Sequence, residues 1–317
     1  MQVITDQSRS PWGDSGSQRS VLTIGAYDGV HLGHQAIIAE VRRHAGELGV
    51  RSVVVTFDRH PASVVRPESA PNLLTDLDQK LELLEATGID ATVLVHFDAE
   101  QAAESPSAFV ERVLVSCLGA RRIVVGEDFH FGRGRTGNVA LLRELGARRD
   151  FDVEPLALLE RADGIAEPLS STAIRRAMAG GQVELAASML GRPFQARGHV
   201  VQGDQRGRLL GFPTANVEVP RVICLPADGV YAGWYQRPDG DRHPCAINLG
   251  RRPTFYEHAD HSLLEAHLLD FAGDLYGEAA RVEFTHFLRS ERKFDGIDSL
   301  IAQLKQDVDH AHSVLGA

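Results

Sequence analysis

Cysteine is scarce in this chain. There are three, Cys117, Cys224 and Cys245, an odd number with no CxxC pair among them. That leaves no disulfide framework, and reduced thiols in the cytoplasm are the simplest reading. Long apolar runs are missing too. None approaches the roughly 20 residues of a membrane-spanning helix. The opening stretch MQVITDQSRSPWGDSGSQRS is polar and lacks the apolar core of a signal peptide, so residues 1–20 read as a flexible N-terminal arm. Nor is there an excess of positive charge: the net charge is −10 and the pI about 5.8. Such a balance speaks against a nucleic-acid partner, while a local basic site can still take a small anion. Internal repeats and low-complexity tracts are absent.

The 317 residues suffice for two domains, each able to bury a core without disulfides. In the first half, short β-branched runs (VLTI, SVVVTF, ATVLVHF, RIVVG) alternate with helical patterns. TDLDQKLELLEATG has Thr75 or Asp76 as its cap and Gly88 as its stop. SPSAFVERVLVSCLG is capped by Ser105, has Pro106 in its first turn and stops at Gly119. Alternation of this kind predicts βαβ units and a mostly parallel sheet, with ligands at the carboxyl ends of the strands. STAIRRAMAGGQVELAASMLG reads as two short helices broken at Gly180-Gly181. Beyond Gly191 the chain is strand-rich (ARGHVVQ, GVYAGWYQ, HPCAINL, LLEAHLLDF, ARVEFTHFL), with a hairpin signal at RPDGD and a closing helix. The expected organisation is an α/β domain over residues 21–190, then a small β-barrel or sandwich with a terminal helix over residues 191–317.

Two constellations carry chemistry. The first is GAYDGVHLGHQ, at a strand-to-helix junction. The first helical turn offers free N–H groups and a positive dipole end, which suit phosphate. Gly33 removes a side chain where a nucleotide must come close. His31 and His34 can donate to phosphate oxygens on either side, and Asp28-Gly29 supplies the turn. A transfer driven by positioning and charge neutralisation suits this set. Zinc does not: the histidines are three apart, and no cysteine or carboxylate completes a site.

The second is GDQRGRLLGFPTANV, a glycine-rich basic loop able to wrap phosphates. Thr214 and Asn216 are two apart, so in an extended chain they offer two neutral oxygens to one Mg²⁺. Downstream, Leu263, Glu265, His267 and Leu269 share one face of a strand, and Glu265 is placed to act as a general base. Taken alone, it reads equally well as an exposed barrel-rim glutamate.

The motifs together resemble those of the bacterial bifunctional riboflavin kinase/FAD synthetases. GAYDGVHLGHQ is similar to the HxGH signature of adenylyl-transferring nucleotidyltransferases. VTFDRHP resembles TFDPHP, with Arg59 where proline is usual. VVGEDFHFGRGRTGN resembles GxDFxFGxxxxG, and LSSTAIRRAM resembles ISSTxIR, with Ala173 in place of a larger residue. GFPTAN, GVYAG, INLGRRPTF and EAHLLDF are similar in order to the riboflavin kinase module, with Gln205 where glycine is usual.

The resemblance implies a Rossmann-like nucleotidyltransferase domain followed by an antiparallel barrel. In the first, His31 and His34 are implied to bind ATP phosphates with Gly25, Asp28 and Gly33, while Ser171, Thr172 and Arg175 close on the triphosphate. Phe57, His60 and Asp128 are implied on the flavin side. In the second, Thr214 and Asn216 are implied to hold Mg²⁺ and ATP and Gly207 to bind ATP, Glu265 to activate the riboflavin 5′-hydroxyl, and Arg252 to lie in a lid over the flavin. Riboflavin, FMN, FAD and ATP are then the ligands, and a homo-oligomer is compatible with this reading. A single-activity adenylyltransferase with the barrel as scaffold, and a flavin-binding carrier, stay open as alternatives.

Overall fold

The computed structural model describes residues 1–8, 10–12, 19–161, 163–203, 206–251 and 262–317. Contacts group the chain into two compact units, Met1–Ser170 and Ser171–Ala317. The helices on either side of Gly180-Gly181 therefore group with the strand-rich half.

The first unit runs β1 (Gln2–Ile4), β2 (Ser20–Ile24), α1 (Leu32–Leu48), β3 (Arg51–Phe57), α2 (Pro61–Val65), α3 (Leu77–Ala86), β4 (Ala91–Val95), α4 (Ala99–Ala103), α5 (Pro106–Phe109), β5 (Ala120–Gly126), β6 (His130–Phe131), β7 (Gly137–Asn138), α6 (Val139–Arg149) and β8 (Asp152–Leu156). Its sheet has the order β1-β4-β3-β2-β5-β8, and every pairing in it is parallel. From β2 the chain builds outward through β3 and β4, and β5 then returns to the other side of β2. The strand order thus reverses at β2 and β5, where open α/β sheets bind ligands.

Helices cover both faces, so β2 is buried along its whole length. Alternation splits the strands between two cores: Leu22, Val53, Val55 and Val93 on one face, Val21 and Val54 with Ile38 and Val41 of α1 on the other. Asp76 caps α3 by accepting from the Gln79 N–H, and Ser105 caps α5 from Ala108. β1 lies within the stretch read as a loose arm. Ile4 is buried there and extends the sheet beyond β4, an addition that three residues in a polar surround do not announce.

The second unit runs α7 (Ser171–Ala179), α8 (Val183–Leu190), β9 (Phe194–Val201), α9 (Arg206–Leu209), β10 (Ala215–Glu218), β11 (Gly229–Gln236), β12 (Arg242–Arg251), β13 (Ser262–Leu268), β14 (Ala279–Arg289) and α10 (Ile297–Leu315). The strands close into an antiparallel barrel in the order β10-β13-β12-β11-β14-β9. Tyr231, Phe284, Ile247 and Leu264 point inward. α10 is held to β14 by a two-pronged pair, Arg289 Nε–Asp307 Oδ1 at 2.9 Å and Nη2–Oδ2 at 2.7 Å, with Gln303 also donating to Asp307. Among the described residues no helix is long and apolar enough to cross a membrane.

Candidate active sites

The His-x-Gly-His corner lies where β2 hands over to α1. His31 is the N-cap of α1: its Nδ1 accepts the His34 N–H at 3.3 Å. The two imidazoles stack, with centroids 3.6 Å apart and planes 17° apart. Gly33 sits against this pair. A Cβ there would lie 3.2 Å from the His31 ring and 3.7 Å from the Leu169 carbonyl, so a larger residue would crowd the His31 imidazole. Gly25 faces the Tyr27 ring. The loop between is forced into unusual backbone: Tyr27 has φ 50° and the β-branched Val30 has φ 39°. Conformations like these persist only when their surroundings over-determine them, and they gather at functional sites.

Asp28 supplies part of that determination. It is buried and accepts from the Leu74 N–H at 2.9 Å, the Thr75 N–H at 3.1 Å and the Thr75 hydroxyl at 3.3 Å. Its carboxylate thus fastens the loop to the chain before α3. Burial pushes the His34 imidazole well below its usual pKa, and His31 and Lys80 push it the same way. Its Nδ1 is buried without a hydrogen-bond partner. A neutral imidazole with an orphaned nitrogen beside a helix N-terminus is ready to gain from an incoming phosphate.

Phe57 and His60 follow at the carboxyl end of β3. Phe57 meets Phe97 edge-to-face, with centroids 5.1 Å apart. His60 caps α2, its Nδ1 accepting from Ala62 at 3.1 Å. Between them, Asp58 accepts from Phe97 N–H and His96 and lies 3.5 Å from Arg59, the residue standing where proline is usual. Asp128 lies exposed at the carboxyl end of β5. The sheet therefore brings the ends of β2, β3 and β5 to one edge, as parallel topology requires.

Ser171 opens α7, Thr172 follows exposed, and Arg175 is half-buried one turn on. Ala173 is 1% exposed, so its small size meets a packed face. Sequence reasoning passed over Lys80, whose single signal was a lysine on the apolar side of a periodic helix. It is buried, donates to the Phe57 carbonyl at 2.6 Å, and has its pKa pushed down to about 8 by burial.

In the barrel, Glu265 on β13 lies in register between Asn216 of β10 and Asn248 of β12. Asn248 Nδ2 donates to Glu265 Oε2 at 3.4 Å. Three polar side chains on neighbouring strands thus form one row on the outer face, and Asn248 is a member that the strand pattern alone did not single out. Asn216 Oδ1 is buried and accepts no hydrogen bond. Gly203 lies against it, since a Cβ there would come within 2.7 Å of that oxygen. Thr214 stands two residues before Asn216. His267 holds the preceding turn, with Nδ1 2.7 Å from the Pro213 carbonyl and its ring edge-on to Phe212. Gly207 closes the α9 turn, where its carbonyl accepts from Phe212 N–H at 2.8 Å. Arg252 and Gln205 lie outside the described residues.

Two other features fall away from these sites. A cavity of about 550 Å³ lined by Gln7, His96, Asp98, Gln101, Glu104 and Arg112 contains none of the predicted site residues. Glu40, His44 and Glu154 approach closely enough for a cation, but Arg43 and Arg122 already contact that histidine.

A stacked histidine pair at a helix N-terminus, at the switch point of a parallel sheet, in one chain with a barrel bearing a Thr-x-Asn and glutamate row, is the arrangement expected of a two-unit transferase acting on nucleotides. The comparisons with known proteins agree. The FAD synthetase family model matches residues 14–173 and the riboflavin kinase model residues 190–315. Bifunctional riboflavin kinase/FMN adenylyltransferases are 38% identical in Haemophilus influenzae (93% of this chain, 94% of that protein), 40% in Pseudomonas fluorescens (93% and 92%) and 38% in Escherichia coli K12 (93% and 93%). A crystal structure described as a macrolide-efflux protein from Streptococcus pneumoniae superposes with a TM-score of 0.86 at 28% identity, covering 98% of this chain and 99% of that one. The chain belongs to the bifunctional riboflavin kinase/FMN adenylyltransferase family.

Proposed function

We propose that one chain converts riboflavin to FMN in its barrel unit and FMN to FAD in its α/β unit, with the residue roles that follow. The observation that carries this reading is that each unit holds a constellation of its own, His31 and His34 at the β2–α1 corner of the first and Asn216, Glu265 and Asn248 on neighbouring strands of the second. The macrolide efflux in the name of the pneumococcal structure has no counterpart in the two family models that match this chain, which are those of FAD synthetase and riboflavin kinase.

In the barrel, Glu265 takes the proton of the riboflavin 5′-hydroxyl as that oxygen bonds to the γ-phosphorus of ATP and the bond to ADP breaks. Asn248 orients the Glu265 carboxylate. The residues present fit Mg²⁺: the buried, unpartnered Asn216 Oδ1 and the Thr214 hydroxyl are hard neutral oxygens facing a glycine-lined approach. When bound, the ion supplies charge neutralisation for the transferred phosphoryl group. Gly207 and Arg252 keep the roles toward ATP and flavin that their motifs imply.

In the α/β unit, an FMN phosphate oxygen attacks the α-phosphorus of ATP and pyrophosphate leaves. His31 and His34 hold phosphate oxygens, with Gly25 and Gly33 leaving room and Asp28 fixing the loop. Phe57, His60 and Asp128 stand on the flavin side. Ser171, Thr172 and Arg175, which open the second unit, keep the ATP-binding role that their motif implies. A cytoplasmic setting fits substrates of this kind.

The test is separation of the activities by substitution. His31→Ala should slow FAD formation by about 10²–10³ and leave FMN formation intact, because a preorganised donor to developing charge is lost. Glu265→Gln should slow FMN formation by about 10²–10⁴ and still turn supplied FMN into FAD. Equal loss of both activities in either folded variant contradicts the assignment. An unchanged FMN rate in Glu265→Gln makes that residue a bystander.

A further inference from the structure

The nucleotide loop and the flavin-side loop meet over one buried cation. Lys80 is 7% exposed. Its Nζ donates to the Phe57 carbonyl at 2.6 Å and lies 3.5 Å from the Ala26 carbonyl. Ala26 belongs to the loop that leads into His31 and His34, and Phe57 ends β3 directly before Asp58 and His60. The Thr56 hydroxyl also donates to Ala26, at 3.1 Å. The two loops are thus cross-linked at the residue next to Tyr27, where the strained backbone begins. A cavity of about 20 Å³, room for roughly one water, lies here, and Asp28, Asp58, Arg59, His60 and Lys80 line it.

We propose that Lys80 is a positioning residue for adenylyl transfer: its ammonium couples the loop carrying His31 and His34 to the loop carrying Phe57 and His60. The inference rests on the function proposed for this unit. Three observations support it. A lysine this buried is rare unless paired. One carbonyl partner lies in the loop that leads to His31, and the other is Phe57, itself a predicted site residue at the end of β3. A strained loop needs over-determination, and among the described residues Lys80 is the buried cation placed to give it. The charged and titratable groups around Lys80 are Asp28 from the β2 loop, Asp58, Arg59 and His60 from the β3 loop, and His34 from α1. Burial pushes the ammonium down to about 8, and the two carboxylates oppose that shift.

The experiment is steady-state FAD formation from supplied FMN and ATP by the full-length protein, with riboflavin phosphorylation measured in parallel. Lys80→Met removes the charge at similar length, and Lys80→Arg keeps it. Lys80→Met should lower kcat for FAD formation by about 10²-fold, the scale of a misplaced reacting geometry. KM for FMN and ATP should change less, and the kinase rate should not change. Lys80→Arg should recover much of the loss. The wild-type kcat/KM, which reports the free enzyme, should fall above about pH 8, and that limb should vanish in Lys80→Arg. Should Lys80→Met not fold, the two pH profiles decide alone. Wild-type rates in a folded Lys80→Met, or the same alkaline limb in Lys80→Arg as in the wild type, overturn the proposal. A wild-type chain that makes FMN but no FAD instead overturns the function assigned to this unit, and this role with it.

Discussion

His34 shows how one residue's surroundings set its chemistry. Burial first, then His31 and Lys80, hold its imidazole well below the ordinary value. The folded unit therefore keeps His34 neutral, while the unfolded chain takes up a proton as the pH drops through about 6.5. In that range the unfolded state binds the additional proton, so stability is lost as pH falls below about 6.5 and is unaffected above it. Urea unfolding between pH 5 and 8, followed at Trp12 in a Trp234→Phe background, should show this loss shrink in His34→Gln. Identical pH slopes in the two proteins would mean that His34 is not held neutral by the fold. That His31 and His34 stand together was legible from the letters, because the spacing His-x-Gly-His at a strand end has few other uses. Their stacking and the orphaned Nδ1 were not, since both depend on the rotamers of two rings packed beside Tyr27 and Gly33. Asp28 reads as a phosphate-side residue in its motif. The backbone donors that occupy it lie 46 and 47 residues away, beyond the reach of local spacing.

At the scale of elements, strand register assembles the kinase row. Asn216, Glu265 and Asn248 come from β10, β13 and β12 and become neighbours only through antiparallel pairing. Glu265 could be singled out on its own strand as a carboxylate flanked by leucines; Asn248 could not, because its partner lies across the ladder. The Asn216 amide also explains Gly203, two residues beyond the end of β9. A methyl group there would lie 2.5 Å from Asn216 Nδ2 and 2.7 Å from Oδ1. Gly203→Ala should therefore displace the Asn216 amide and weaken ATP use in riboflavin phosphorylation by tenfold or more, about 1.4 kcal/mol, with FMN adenylylation unchanged. The check is KM for ATP in each half-reaction. Unaltered kinase kinetics would show that the Asn216 amide does not need its present position. Periodicity located β2 to β5 and the long barrel strands well, because buried parallel strands read as continuous apolar runs. It missed β1, β6, β7 and β10, which at two to four residues are too short to carry a period, and the edge strand β8, whose DVEPL is half-exposed and holds a proline.

For the whole molecule, the shift in composition after Gly191 and the grouping of contacts answer different questions. The strand-rich pattern begins with the barrel, whereas α7 and α8 pack with the barrel and are helical. Met178 is fully buried, its carbonyl accepts from Ala227 N–H at 2.9 Å, and Glu184 accepts from Phe287 N–H at 3.0 Å. A fragment starting at Ser171 should therefore fold and phosphorylate riboflavin. One starting at Gln182 should do the same with about 2 kcal/mol less stability, the worth of a buried side chain the size of Met178. Denaturant unfolding of the two fragments checks this, and equal stability would show that α7 contributes nothing to the barrel. The central claim, that one chain performs both conversions in sequence, is tested most directly by a time course. The full-length protein is incubated with riboflavin, ATP and Mg²⁺, and the flavins are separated by chromatography. FMN should appear first and FAD after a lag, with ADP released in the first step and pyrophosphate in the second. Riboflavin left unphosphorylated while supplied FMN is still converted to FAD would contradict the account.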